Sequence, residues 1–322
     1  MSPRHEIYEV QLRPVMGDRF QATGFPDIGA AQYERPIVAD DGSVSWEPAL
    51  LVESAQSVAN RLEAAAWDST QDVPEAVVAG LPWVRVVNTD GEFLTSSRLE
   101  AHRLASAFIR EATTSDGTGM LGYIGNVLDL QDDRPLNAGH IARAVAGLDP
   151  FSLLHGVFFN QKEWVGQPKL ARAVTGVIEA QNVRPVYSGG VKRDEVRHSI
   201  RENKAGAAEG YGSVPFQRVE FVAASITAQF VIDTKQLTAY GLSEAATATL
   251  VDVARWEIRR FLNEGLRLRT ACDFKVVGGD EELASEGELA ASILKSASEA
   301  PEFNGGEVLT VTWSGDKGKR SK

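Results

Sequence analysis

The chain has 322 residues and contains a single cysteine, Cys272. One cysteine cannot form an internal disulfide, which fits a reducing compartment, and it excludes zinc sites built from several cysteines. Long apolar runs are missing as well. Uncharged stretches such as residues 150–161 and 221–232 are much shorter than the ~20 residues of a membrane-spanning helix. Residues 1–10 lack the apolar segment of a signal peptide, so the sequence predicts a cytoplasmic protein with no membrane contact.

The chain also has fewer basic than acidic side chains. It has 33 Lys and Arg against 44 Asp and Glu, a net charge of −11, which taken alone argues against a nucleic-acid partner. The charge is unevenly distributed. Residues 184–204 contain six basic and three acidic side chains, a local charge of +3, so the rest of the chain carries −14. A solvated loop is one interpretation of this basic segment, and an anion-binding segment next to Gly189 and Gly190 is the other.

Sequence motifs of catalysis are missing too. There is no Gly-x-Ser-x-Gly elbow, Walker loop or His-Glu-x-x-His pattern, and the five histidines are not at metal-ligand spacing. Residues 117–122 (GTGMLG) match the dinucleotide-binding fingerprint as a string, but a helix is predicted before them and none after them. We therefore predict a loop there, with no cofactor, no metal and no catalytic site.

With 43% hydrophobic and 24% charged residues, the chain has the composition of an ordinary folded protein. Alternating or β-branched segments predict strands at residues 7–13, 151–159, 169–183, 216–233, 266–277 and 308–313. Residues 169–183 also have helical spacing, and Gly176 with its β-branched neighbours favours the strand. Helical spacing of apolar residues predicts helices at residues 50–67, 97–111, 136–148, 242–262 and 285–298.

This order of elements fits an α+β fold, a ferredoxin-like antiparallel sheet with helices on one face. Residues 15–48 interrupt it as a long loop, and residues 184–215 as an excursion rich in glycine and charge. Residues 273–302 contain eight acidic side chains against two lysines. We interpret them as solvated surface, with a contact face for a basic partner as the alternative.

The loop after the first predicted strand mixes basic and aromatic side chains: Arg19, Phe20, Gln21 and Phe25. On single-stranded RNA, arginine commonly contacts phosphate and phenylalanine stacks on bases. Two aromatic residues in a loop equally well form a small core. Arg61 and Arg103 lie on predicted helices, where ion pairs with Glu63 or Glu100 are the simpler interpretation.

Five segments together resemble a known family. They are residues 19–31 (RFQATGFPDIGAA), 52–63 (VESAQSVANRLE), 97–109 (SRLEAHRLASAFI), 169–183 (KLARAVTGVIEAQNV) and 188–196 (SGGVKRDEV). The set resembles the Csb-type backbone subunit of type I-U (also called I-G) CRISPR Cascade effector complexes, in the RAMP superfamily (the seventh Cas family). The resemblance covers residues 8–221 and continues more faintly to the last helix and strand.

The resemblance implies a single RAMP domain over residues 1–322, with an RRM-like palm and long insertions that form thumb and finger-like elements. Residues 15–48 would be an RNA-facing loop, residues 112–150 a helical insertion and residues 186–215 the thumb. Residues 314–322 are expected to form a disordered tail.

The resemblance also implies the function. The protein would bind guide (CRISPR) RNA, polymerise along it without catalysing a reaction, and present it for pairing with target DNA. The RNA contacts that it implies are Arg19, Gln21, Asn60, Arg61, Arg103, Gly189, Gly190, Lys192, Arg193 and Arg197. Lys and Arg would neutralise phosphates, and the glycines would allow close approach of the RNA backbone.

Further partners implied by the resemblance are neighbouring copies of the chain, a large subunit, a subunit that caps or processes the guide end, and a recruited helicase–nuclease. Two alternatives stay open. One is a metal-dependent ribonuclease of the same superfamily that uses Asp18 or Asp27 to cut target RNA. The other is an acidic α+β oligomeric protein unrelated to RNA.

Overall fold

The first elements follow the alternation of polar and apolar residues in the N-terminal sequence. The structure, a computed structural model, describes residues 4–25, 29–194 and 212–315. Its first part contains β1 (Glu6–Pro14), β2 (Gly24–Phe25), β3 (Gly29–Ala30), β4 (Gln32–Val38), β5 (Val44–Glu53), α1 (Ala55–Ala65), β6 (Trp67–Asp68), β7 (Val73–Pro74), β8 (Trp83–Val87) and β9 (Phe93–Ser96).

The middle of the chain is mainly helical, and the last part returns to strands and long helices. The middle contains α2 (Ala107–Arg110), α3 (Met120–Val127), α4 (Ala138–Leu148), α5 (Phe151–Leu154), β10 (Val157–Phe158), β11 (Lys169–Leu170) and β12 (Val174–Gln181). The last part contains β13 (Arg184–Asp194), β14 (Gly212–Val222), β15 (Ser225–Ile232), α6 (Thr234–Ala239), α7 (Glu244–Glu264), β16 (Arg267–Arg269), β17 (Cys272–Gly278), α8 (Glu286–Glu299) and β18 (Val308–Thr312).

Seven strands form one antiparallel sheet, in the order β16, β17, β1, β15, β12, β5, β4. Its central part is built from β1, α1, β12, β15, α7 and β17, which is the strand, helix, strand, strand, helix, strand succession of a ferredoxin-like fold. We call these six elements the palm. The prediction of an α+β fold with a ferredoxin-like antiparallel sheet is confirmed.

One face of the palm is apolar because side chains alternate along its strands. Val10 and Leu12 are buried on β1, whereas Glu9 and Gln11 are exposed on the opposite face. Gly176 on β12 allows α1 and the Phe230 side chain of β15 to pack closely against the strand. A Cβ at this position would lie 2.6 Å from Cδ1 of Phe230 and 2.8 Å from Cγ1 of Val58 on α1. The strand prediction for residues 169–183 is confirmed by β11 and β12.

The chain between α1 and β12 forms a long insertion beside the palm. Within it, β8 pairs with β9, and the C-terminal strand β18 pairs with β8 in parallel from Val308↔Trp83 to Thr312↔Val87. A buried polar network joins this insertion to α7, because His155 Nε2 lies 3.1 Å from both carboxylate oxygens of Glu257. The last described strand therefore belongs to the insertion and not to the palm sheet.

Residues 15–48 are not a single loop, contrary to the sequence-based expectation. β4 pairs with β5 from Gln32↔Leu50 to Val38↔Val44, and β5 pairs with β12, so this hairpin extends the palm sheet. The residues that suggested a loop have local roles in the hairpin. Pro36 lies on the edge strand, where a missing N–H group is tolerated, and Gly42 has a φ of +81° in the turn.

The predicted helix over residues 97–111 is wrong. Only a 3₁₀ turn at Arg103–Ala105 and the four residues of α2 are helical, and Arg103 has a φ of +49°. Residues 151–159 were predicted as a strand, but they begin with α5, and β10 has only two residues. The predicted helix over residues 50–67 is shortened because its first residues complete β5.

Residues 117–122 (GTGMLG) are not only a loop, because α3 begins at Met120 with Gly119 as its N-cap. The helices predicted at residues 136–148, 242–262 and 285–298 are confirmed as α4, α7 and α8. Side-chain caps from Ser243 and Ser285 start the last two. None of the described helices combines the length and the apolar composition needed to cross a membrane.

Candidate nucleic-acid interface

Phe20 is a core residue and not an exposed stacking surface. Its backbone N–H donates to the Phe221 carbonyl at 3.0 Å, and the Phe221 N–H donates back to the Phe20 carbonyl at 2.8 Å. The Phe20 ring is fully buried and lies edge-on to Phe274, with ring centroids 5.7 Å apart. The small-core alternative therefore holds for Phe20. Its burial fixes the loop after β1 against the start of the β13–β14 hairpin.

Arg19 lies next to this buried ring but points to the surface, with 57% of its side chain exposed. Its Nη1 atom lies 3.3 Å from Oε2 of Glu220, a mostly buried carboxylate on β14. The same Oε2 accepts a hydrogen bond from Oγ of Ser188 on β13 at 2.8 Å. We call Arg19, Ser188 and Glu220 the hairpin root, because together they join the loop after β1 to both strands of the hairpin.

The β13–β14 hairpin leaves the palm between β12 and β15, and its two strands pair from Arg184↔Val222 to Asp194↔Gly212. Gly189 and Gly190 are exposed within this ladder, next to Ser188. Lys192 and Arg193 continue the same strand opposite Val214 and Ser213. Arg197 lies outside the described residues. The excursion predicted over residues 184–215 is a hairpin over its described part.

Arg61 binds a buried carboxylate that sequence reasoning missed, and Arg269 links the Gln21 backbone to the same carboxylate. Glu53 ends β5 with its side chain 1% exposed. It accepts hydrogen bonds from Arg61 Nε at 2.9 Å, from Arg269 Nη2 and from Ser57 Oγ. Arg269 Nη1 also donates to the Gln21 carbonyl at 3.2 Å. We call Glu53, Arg61 and Arg269 the arginine hub; it ties the loop after β1 to α1 and β16.

The hub changes the interpretation of two side chains. Arg61 is paired with Glu53 and not with Glu63. Its Nη2 also donates to the Leu268 carbonyl at 2.6 Å. Burial lowers the pKa of Arg61. Burial also raises the pKa of the Cys272 thiol to about 11, and Arg269 Nη1 lies 3.2 Å from its sulfur. Cys272 is therefore an unreactive thiol at neutral pH.

Arg103 is not presented at the surface. Its Nη2 atom lies 2.7 Å from Glu63 Oε1, and its Nη1 donates to the Gly156 carbonyl at 2.8 Å. The side chain is 8% exposed, so its donors are directed inward. The expected partner Glu100 instead accepts from Thr95 Oγ1 at 2.8 Å. In this conformation Arg103 joins α1 to the insertion and has no guanidinium surface left for RNA.

Asn60 is exposed on α1 and belongs to a separate polar surface. Its Oδ1 accepts from Gln56 Nε2 at 2.9 Å, and Gln56 Oε1 accepts from Arg172 Nη2 at 3.1 Å. The structure thus divides the predicted contacts. Arg19 belongs to the hairpin root and Arg61 to the hub. Gln21 contacts the hub through Arg269, and Gly189 and Gly190 follow Ser188 of the hairpin root on β13. Asn60 and Arg103 lie towards the insertion.

Glu53, Glu220, Arg269 and Arg172 organise these surfaces, and no local sequence pattern marked them. Each has at least one partner far along the chain, 216 residues away in the case of Glu53 and Arg269. The only available signal was that Glu53 and Arg172 fall within segments that carried the family resemblance.

Among the described residues, no group of three or more His, Cys, Asp or Glu side chains could hold a metal ion. Asp18 is exposed at the edge of a polar cavity that Arg13 and Lys275 also line. Asp27 lies outside the described residues.

The chain is therefore an α+β protein with a ferredoxin-like palm, a long insertion after the first palm helix and a hairpin between the second and third palm strands. The family model described as CRISPR-associated protein GSU0053 matches residues 7–185, more than half of the chain. The chain belongs to this family of CRISPR-associated proteins.

One chain from a solved structure is also similar, that of a "CRISPR RNA-guided surveillance complex, pre-nicking". The two chains share 14% sequence identity with a TM-score of 0.39, over 84% of this chain and 73% of the other. No curated protein sequence matches this chain.

Proposed function

We propose that this protein is a guide-RNA-binding backbone subunit of a type I-U/I-G CRISPR surveillance complex. Copies of the chain polymerise along the guide and present it for pairing with target DNA. The subunit is non-catalytic and acts in the cytoplasm, beside a large subunit and a subunit that caps or processes the guide end. Cleavage is left to a recruited helicase–nuclease.

The observation that carries the proposal is the position of the basic segment. The residues with a local charge of +3 belong to the β13–β14 hairpin and the chain that joins its strands, in a protein whose remainder carries −14. The described part of this hairpin is joined to the palm through Glu220, which contacts Ser188 and Arg19. Membership of a CRISPR-associated family makes guide RNA the polyanion that this segment would contact.

The candidate contacts also suit a guide carrier chemically. Arginine, lysine and exposed backbone next to Gly189 and Gly190 would contact phosphates and sugars, which carry no sequence information. A subunit that accepts any guide needs contacts of this kind, because specificity is delegated to base pairing. We assign residues 186–215 to a thumb that separates bases of the guide–target duplex at regular intervals.

Co-purification tests the proposal most directly. The protein is expressed with a CRISPR array and its partner subunits, purified, and its nucleic acid is extracted. We expect RNA of uniform length that matches the array. Protein that is free of RNA under these conditions would instead support the alternative of an acidic oligomer unrelated to RNA.

A charge-reversal variant tests whether the β13–β14 hairpin contacts the guide RNA. Lys192→Glu combined with Arg193→Glu should abolish assembly on guide RNA, because it replaces two cations by two anions next to the phosphates. The matched control is Lys235→Glu with Lys295→Glu, two exposed lysines on α6 and α8, which changes the net charge equally. Full-length assemblies of the hairpin variant would show that the RNA site lies elsewhere.

The non-catalytic assignment has its own experiment. The assembled complex is incubated with complementary RNA and a divalent metal, for the wild type, Asp18→Ala and Asp27→Ala. We expect the target RNA to stay intact in all three. Cleavage that one of the two variants loses would identify a ribonuclease and overturn this assignment.

A further inference from the structure

A cavity of about 260 Å³ opens beside α1, on the surface where Asn60 lies and away from the hairpin root. We call it the Phe158 pocket. Its rim carries His102, Phe158, Lys169 and Arg172, and its floor includes His155, Gly156, Val157 and Leu170. Glycine is required at position 156 of the floor. Its φ is +82°, and a Cβ there would lie only 3.0 Å from the backbone nitrogen of Arg172.

Phe158 forms the aromatic side of the pocket and is unusually exposed for a phenylalanine. Phe158 is 47% exposed, although it lies in the strand pair β10–β11 directly opposite Lys169. Nζ of Lys169 lies 5.8 Å from the Phe158 ring centroid, a cation–π arrangement. The two side chains together present a partly exposed aromatic ring with a cation over one of its faces.

The cationic side of the pocket is not neutralised. No Asp or Glu lines it, and the adjacent Glu63 is taken by Arg103. Neither Lys169 nor Arg172 has an ion-pair partner within the part of the chain that the structure describes. Arg172 is fixed to α1 by hydrogen bonds to the Ala55 carbonyl and Gln56, at 3.2 and 3.1 Å. Its Nε is buried without a hydrogen-bond partner among the described residues.

We propose that the Phe158 pocket binds one unpaired nucleotide of RNA, with the base stacked on Phe158 and its phosphate held by Lys169 and Arg172. This inference rests on the proposed guide-RNA function and adds a second contact to it. Single-stranded nucleic acid is bound in this way elsewhere, by aromatic faces and backbone-tracking cations. An acidic peptide would use the cations but not the ring.

The small volume favours a polymer over a free cofactor. Pockets for small molecules usually enclose about 300–1,000 Å³ and bury most of their ligand, whereas this one is smaller and open. A polymer that inserts one unit and is held elsewhere by the hairpin needs no larger enclosure. Because Arg172 is fixed to α1, the phosphate site is rigid before RNA arrives.

The test uses the assembled complex and a guide that carries 5-iodouridine. Irradiation should crosslink a 5-iodouridine base to Phe158 in the wild type. Phe158→Ala should weaken binding of single-stranded RNA on the order of tenfold. Lys169→Ala should reduce the slope of log affinity against log salt by about 0.7. Leu294→Ala and Lys235→Ala, at exposed positions on α8 and α6, are the matched controls and should change neither quantity.

The outcomes separate this inference from the proposed function. If the wild type retains guide RNA but both pocket variants bind it like the controls, the pocket proposal is overturned and the proposed function stands. A crosslink from Phe158 to a neighbouring protein chain would also overturn it. Wild-type protein that retains no RNA would overturn both proposals, and circular dichroism of each variant confirms that a loss of binding is not a loss of fold.

Discussion

Glu53, Glu220 and Glu257 are buried carboxylates that join distant parts of the chain in different ways. Glu53 lies between two guanidinium groups, and Glu220 faces Arg19 and Ser188. Glu257 has no such cation within hydrogen-bond distance among the described residues and faces His155. Burial raises the pKa of Glu257 well above its usual value and lowers the pKa of His155 to about 4. Both directions favour the uncharged forms of Glu257 and His155 in this buried contact.

Glu257→Gln should become more stable relative to the wild type as the pH rises from 5 to 8. A carboxyl whose folded-state pKa is raised stabilises the fold fully below its unfolded pKa of about 4.5, and this contribution is lost as the pH rises towards the folded value. Glutamine stays neutral and still donates to His155. The measurement is urea unfolding of both proteins at several pH values.

His155 does not confuse this comparison. Its depressed pKa makes stability fall as the pH drops from about 6.5 to about 4, and it does so in both proteins. Glu264→Gln is the control, because Glu264 lies on the same helix with 64% of its side chain exposed. A stability difference between Glu257→Gln and the wild type that does not change with pH would show that Glu257 is ionised in the fold.

The β13–β14 hairpin is the element on which the proposed function depends most. Eleven residue pairs form its ladder, and the contacts at its base join it to the palm. A two-stranded ribbon has little core of its own, so the buried Phe221 and the hairpin root determine where it points. Gly189 and Gly190 interrupt the side-chain surface of β13 at mid-strand, which is unfavourable for strand stability and calls for a functional reason.

Gly189→Ala combined with Gly190→Ala should separate stability from binding. Alanine is less flexible in the unfolded chain, so the variant should be as stable as the wild type or more stable, by up to about 1 kcal/mol per site. Its RNA affinity should fall on the order of tenfold, because two methyl groups keep a phosphate from the backbone amides. Thermal unfolding and fluorescence anisotropy with labelled RNA give the two values.

Gly122→Ala on α3 serves as the control for this pair. Nothing lies within 4 Å of a Cβ placed at this position, and alanine favours the helix. This variant should gain stability without a change in RNA affinity. An affinity of the double alanine variant equal to that of the wild type would remove Gly189 and Gly190 from the interface.

Across the molecule, palm and insertion are held together by segments far apart along the chain. β18 completes the small sheet of the insertion, and the Thr113 and Thr312 backbones exchange hydrogen bonds of 2.9 and 2.8 Å. Arg103 and His155 provide polar links from the insertion to α1 and α7. The insertion is thus closed by the last described strand of the chain and supported by the palm helices.

Deletion of residues 308–322 should therefore destabilise the insertion more than the palm. It removes the parallel partner of β8 and exposes apolar surface that the buried Val311 covers. We expect limited proteolysis to cut first within residues 66–173. Deletion of residues 316–322 alone is the control and should leave the cleavage pattern unchanged. First cleavage of the shortened protein within the palm helices would contradict this description.

The sequence was most informative where a local pattern and the tertiary environment agree. β1, α4, α7 and α8 were predicted from alternation and helical spacing, because each buries one regular face. The helix prediction for residues 97–111 is wrong because local pattern and tertiary environment disagree there. Their apolar spacing resembles that of a helix, but Arg103 turns inward to Glu63 and Gly156, and these long-range bonds outweigh helix propensity.

The candidate site was predictable in part. The concentration of positive charge after β12 was evident from the sequence, and the hairpin that carries it begins where expected. The arginine hub and the hairpin root were not predictable, because each carboxylate takes partners from two other segments: α1 and β16 for Glu53, and the loop after β1 and β13 for Glu220. Phe158, Lys169 and Arg172 are individually unremarkable in sequence and line a pocket only when residues 101–103, 155–158 and 169–172 come together.

The sequence by itself determined the α+β class, the regular palm elements and the location of the basic segment, because these follow from periodicity and charge over short distances. The tertiary structure decided which cations remain at the surface. Arg61 and Arg103 are turned inward by the buried carboxylates Glu53 and Glu63. Arg19 stays exposed beside Glu220, and Lys169 and Arg172 are left without a described ion-pair partner. A buried charge requires a partner from wherever the fold supplies one, so that choice is made by packing and not by sequence neighbours.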